Sequence, residues 1–181
     1  SLLYMLQNKY LPQFDFSSAH SITVNAPVSK IFPIVREFKI KNPPVSYWLM
    51  KLRGMSAPTH FSIQHLENSR FVMLEKIPDK EIIIGLIGKP WTPTGHLQKF
   101  QPHEFIPFNN TAYIKASWSF ELVPISPTQT EIKTETRIDC PTPQVRRRFG
   151  AYWFFIKPFS GIIRKAMLKA IKRELEGSNV S

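Results

Sequence analysis

Glu75 closes the apolar run Phe71-Val72-Met73-Leu74, and Glu81 follows six residues later, beyond Pro78-Asp79-Lys80. A carboxyl group held among apolar neighbours titrates high and can give or take a proton, so this pair forms the candidate catalytic set. The same residues beside Lys76 and Lys80 can equally be solvated ion pairs at a hairpin end, which contribute little. Glu135 and Arg137 form a second charged pair. Their alternation places them opposite Ile132, Thr134, Thr136 and Ile138, as part of a solvated cross-strand ladder with Glu131, Lys133, Lys115 and Glu121. Only a bulge would turn Arg137 inward, where its guanidinium would grip a carboxylate or phosphate bidentately. Trp118, Phe120, Phe149 and Trp153 stand at inward-facing positions and are candidates to line an apolar pocket, or simply to fill a core.

Other chemistries lack their residues. The histidines His20, His60, His65, His96 and His103 show no HExxH pattern and no helical i,i+4 pair, so no metal site and no cofactor is expected. His20 reads as a core or cavity histidine. Gly85-Leu86-Ile87-Gly88-Lys89 lacks the spacing of a phosphate loop, and neither GxSxG nor GxGxxG occurs. The single cysteine, Cys140, excludes an internal disulfide framework and reads as a strand-end filler, with no evident base beside it.

The elements that must position these residues follow from the apolar periods. Residues 15–25 alternate as a half-buried strand, and Ala26-Pro27 opens a helix limited or kinked at Pro33. Asn42-Pro43-Pro44 opens a second short helix carrying Val45, Trp48, Leu49 and Leu52, stopped at Gly54. Residues 71–77 and 81–87 read as an antiparallel hairpin. Residues 112–122 and 130–138 alternate as two longer paired strands. Thr142-Pro143 caps a last helix running to about Gly177. As one rod its roughly 35 residues would span about 50 Å, so Pro158 and Gly161 are expected to bend it. Its apolar stripe is Val145, Phe149, Trp153, Ile156, Ile163, Met167, Ala170 and Ile171.

With 181 residues, the chain has room for one domain, here residues 15–177, after an N-terminal extension 1–14 and before a tail 178–181. At 43% hydrophobic and 20% charged residues, the composition supplies a packed core and excludes intrinsic disorder. No apolar run approaches the roughly 18 residues of a membrane span, and Gln7, Asn8 and Lys9 interrupt any leader, so a cytoplasmic protein is expected.

The order of strand, two short helices, antiparallel strands and long C-terminal helix resembles the helix-grip fold, an α+β arrangement in which a curved sheet wraps the last helix. The words resemble a superfamily as well. His20-Ser21-Ile22-Thr23-Val24-Asn25-Ala26-Pro27 is similar to the opening of START-like and polyketide cyclase (SRPBCC) proteins. Glu81 to Gly88 with Trp91, Thr134-Glu135-Thr136-Arg137, Arg147-Arg148-Phe149 with Tyr152-Trp153, and Ile156 to Arg164 resemble a bacterial branch of that superfamily. The resemblance implies a cavity between sheet and helix for a hydrophobic or amphipathic, lipid-like ligand, with Trp91 added to the lining candidates. Carriage or sensing is the favoured role, with a cyclase- or dehydratase-type enzyme using Glu75 or Glu81 on a polyketide-like or aromatic substrate as the alternative.

Charge adds one more partner class. Lys and Arg number 24 against 13 acids, a formal +11. The C-terminal helix carries Arg146, Arg147, Arg148, Lys157, Arg164, Lys165, Lys169, Lys172 and Arg173 against only Glu174 and Glu176. Three arginines in a first helical turn oppose the helix dipole, so helix stability does not account for them. Beside Tyr152, Trp153, Phe154 and Phe155 they suggest an anionic membrane surface as partner. Nucleic acid ranks lower, because no reader motif accompanies the charge.

Overall fold

The computed structural model describes residues 5–37, 40–41, 60–61 and 70–177. The expected second short helix, residues 42–54, lies outside them. Within them, the chain runs α1 (Met5–Tyr10), β1 (Phe16–Val24), α2 (Val28–Glu37), β2 (Ile40–Lys41), β3 (His60–Phe61), β4 (Val72–Ile77), β5 (Glu81–Gly88), β6 (Ile114–Ser126), β7 (Gln129–Asp139) and α3 (Pro143–Gly177). Five strands form one antiparallel sheet in the order β1-β7-β6-β5-β4, while β2 and β3 pair separately. This is an α+β, helix-grip architecture.

The turn chemistry does what the sequence asks of it. Pro78-Asp79-Lys80 joins β4 to β5, with Asp79 in the left-handed region at φ 57° and Lys80 N–H donating to the Ile77 carbonyl. The β6–β7 hairpin keeps one register from Lys115 opposite Asp139 to Pro124 opposite Thr130, then shifts by one residue to set Ser126 opposite Gln129. The Thr142 hydroxyl accepts from Val145 N–H at 3.2 Å, the N-cap bond that starts α3 at Pro143. Pro33 and Pro158 lie inside α2 and α3, and each helix continues through its proline as one element. The 35 residues of α3 are thus not divided at Pro158.

Strand alternation sorts side chains onto two faces. Toward α3, Ile82, Ile84, Phe120, Leu122 and Ile132 pack with Leu168, Ile171 and Leu175 of α3 and with Ile31, Phe32 and Val35 of α2. At the other end of the same helix, Val145 and Phe149 pack with Ile114, Ile138 and Cys140. The two apolar clusters pin the two ends of α3.

The opposite sheet face is not a solvated one. Residues 1–14 read as an extension, yet within them α1 lies across β5 and β6. Its Leu6 is buried with Leu11, Ile83, Ile87 and Phe105, and Gln7 is buried with it. The expected charge ladder is therefore corrected: Glu131 and Lys133 pair at 3.6 Å, but Glu135 and Arg137 are each only 7% exposed, covered by α1. A six-residue helix of ordinary polarity carries no strong period, which is why the sequence does not announce this lid.

Candidate functional site

Between its two pinned ends, α3 rides over the edge strand β1. Gly150 faces the Phe16 ring and Gly161 faces the His20 imidazole, with 3.3 and 3.7 Å left for a side-chain carbon at each. Eleven residues apart, the glycines fall on one side of the helix, and their missing side chains let it approach the strand. At the Gly161 crossing β1 presents short and polar groups: Ser18 Oγ lies 3.4 Å from His20 Nε2. A groove of about 860 Å³ results. Phe16, Trp153 and Phe154 give it aromatic walls, and His20 with Ser18 forms its polar floor. Lys157, Pro158, Ile162 and Lys165 edge it.

Asp15, at one end of the groove, is the acid of the lining. Its carboxylate is held by the Arg146 guanidinium and accepts from Cys140 N–H at 2.7 Å. Lys157 and Lys165 form no ion pair with a described residue, so the groove edge is cationic. Burial, with the Asp15 carboxylate adding to it, pushes the Cys140 thiol up to about 12. The thiol stays protonated at neutral pH and is no nucleophile.

Of the pocket-lining candidates, Trp153 alone reaches this groove. Phe120 and Phe149 are fully buried core side chains. Trp91 packs on the Phe149 end of the core, and Trp118 packs beside Phe120 while donating to Thr134 Oγ1 at 2.6 Å. Sequence reasoning named His20 as a core or cavity histidine and missed Phe16 and Ser18 as groove residues. The legible signal was the parity that places all three on one side of β1, together with glycines at 150 and 161 on a single helical face.

The charged candidates lie on the far side of the sheet. Arg137 Nε donates to Glu135 Oε1 at 3.1 Å, and its Nη1 donates to Asn8 Oδ1 at 2.8 Å and to the Leu11 carbonyl. No bulge turns Arg137 toward α3, so it anchors α1 and is placed away from the groove. Glu75 and Glu81, the candidate catalytic pair, are likewise under α1. Glu75 is held below its ordinary range by hydrogen bonds from Lys9 and Tyr10. Glu81 is 1% exposed and accepts from Leu6 N–H at 3.1 Å. Burial, helped by the facing Glu121, pushes it up to about 7. Its second oxygen, the Ser119 hydroxyl and Glu135 Oε2 are buried without a hydrogen-bond partner among the described residues. The sheet thus puts the perturbed acid and the groove on opposite faces.

No family model matches the chain, and no curated protein matches it. Solved structures do. A Nitrosospira multiformis protein is similar over 88% of this chain and 96% of its own, at 11% identity and TM-score 0.44. A norcoclaurine synthase point mutant from Thalictrum flavum is similar over 91% and 96%, at 12% identity and TM-score 0.43. The di-domain aromatase/cyclase BexL is similar over 92% of this chain and 48% of its own, at 12% identity and TM-score 0.35. At such identities and scores these likenesses say nothing about what this chain binds.

Proposed function

We propose that this chain binds a hydrophobic or amphipathic small molecule in the groove between β1 and the middle of α3, as a carrier or sensor. The observation that carries the reading is the groove itself. A helix pinned at both ends by apolar clusters and laid against β1 at Gly150 and Gly161 leaves about 860 Å³ lined by Phe16, Trp153 and Phe154 over a small polar floor. Its lining is mostly apolar with a few placed polar groups, as in ligand sites generally, and the groove is open to solvent along Phe154 and Ile162. The resemblance of residues 20–27 to the opening of START-like proteins favours the same class of function. Catalysis by Glu75 or Glu81 gains no support, because neither carboxylate faces the groove.

The test is titration with a fluorescent fatty acid, cis-parinarate, beside native mass spectrometry of freshly purified protein. Gly161→Leu fills the groove from the helix side with a residue that favours helix over glycine. It is expected to weaken parinarate binding by about tenfold or more, the equivalent of one buried apolar side chain's worth of contact. Trp118→Ala is the control, since Trp118 stands outside the groove. Loss of binding in Trp118→Ala with none in Gly161→Leu would move the ligand to the centre of the sheet, and no binding by the unaltered protein would sink the reading.

A further inference from the structure

We propose that the outward face of α3 docks onto an anionic membrane. Phe154 and Phe155 are 77% and 70% exposed, and Ile162 is 54% exposed. A lone exposed apolar side chain is ordinary. Positions 154, 155, 158 and 162 differ, because three- and four-residue spacings place two phenyl rings, a proline and an isoleucine in one strip along the helix. Arg147 and Arg148 stand exposed about two turns before the strip, Lys157 and Lys165 beside it, and Lys169 two turns beyond. Along α3 no acid precedes Glu174.

Charge and apolar surface here reinforce each other. The ion pairs of α3 use Arg146 and Lys172, leaving Arg147, Arg148, Lys157, Lys165 and Lys169 without one among the described residues. Basic residues at a surface are drawn to an anionic leaflet, while phenyl rings gain by leaving water for the acyl boundary. A solvated basic face explains the cations but not the rings. A nucleic-acid duplex would use the cations through its phosphates and leave the rings in water. The helix is an interfacial one: among the described residues none is long and apolar enough to span a bilayer. Phe154, Lys157, Ile162 and Lys165 also edge the groove, so a docked helix turns the groove toward the lipid. That consequence rests on the ligand-binding reading, whereas the docking itself does not.

Co-sedimentation with vesicles tests it, using phosphatidylcholine alone and phosphatidylcholine mixed with phosphatidylglycerol. The protein is expected to pellet with the mixed vesicles and not the neutral ones, and to be released as salt rises to about 0.5 M, where screening is nearly complete within a few ångströms. The triple variant Arg147→Ser, Arg148→Ser, Phe155→Ser leaves the groove lining intact. It is expected to bind the mixed vesicles at least about tenfold more weakly, through the loss of two cations and one inserted ring. Its thermal melt and parinarate affinity stay unchanged, which separates failure of docking from failure of ligand binding. Equal pelleting on neutral vesicles, undiminished pelleting of the triple variant, or no vesicle binding with retention of a short DNA duplex would each overturn the proposal.

Discussion

Glu81 and Arg137 show how one side chain's surroundings set its role. Glu81 is raised from the ordinary 4.5 to about 7 by burial beneath α1, with Glu121 across the strand adding to it and Leu6 N–H working against it. A folded pKa above the unfolded one means that the folded state holds the extra proton. Stability is then fully present below about pH 4.5 and falls as pH rises toward 7, by about 3 kcal/mol over that window. Glu81→Gln keeps an acceptor for Leu6 and removes the titration. Urea unfolding from pH 4.5 to 8 is expected to show the decline in the unaltered protein and a flatter profile in the variant, and parallel profiles would refute the assignment. Arg137 is buried against Glu135, so removing one partner strands a charge. Arg137→Ala is expected to lower stability by about 3 to 5 kcal/mol, and the double change of Glu135 and Arg137 to Leu and Met to recover much of it. A double-mutant cycle in urea reads the coupling directly.

At the scale of elements, α1 is the piece that converts a two-sided sheet into a covered one. Six residues do not hold a helix alone, so its order comes from Leu6 and Gln7 beneath it. Gln7 accepts from Ser117 Oγ at 2.5 Å and donates to the Glu135 carbonyl at 2.9 Å. Lys9 and Tyr10 bind Glu75, and burial, with Glu75 as a second cause, pushes the Tyr10 phenol up to about 12. Leu6→Ala should cost about 2 to 5 kcal/mol by the cavity it leaves. Hydrogen exchange at residues 5–10 and along β5 is expected to speed up together; faster exchange in α1 alone would show the lid to be independent of the sheet.

At the scale of the molecule, much of the fold was legible. Clean alternation marked β1, β6 and β7, the Pro-Asp-Lys turn marked the β4–β5 hairpin, and Thr142-Pro143 marked the start of α3, each because local geometry alone dictates it. The parity of Glu135 and Arg137 was also legible, opposite Ile132 and Ile138. Their environment was not, because alternation tells which face a side chain takes and not what covers that face. The candidate site was legible only through Trp153 and His20. The other aromatics proposed for it are core or core-packed, since an aromatic on an inward face looks the same in sequence whether it meets a ligand or a leucine. What the amino-acid order determined by itself was the set of elements, their faces and the basic, aromatic bias of α3, all consequences of short-range periodicity. Tertiary structure alone decided that α1 roofs the charged face and that the middle of α3 lies along β1 to form a groove, because both depend on contacts between residues more than a hundred positions apart.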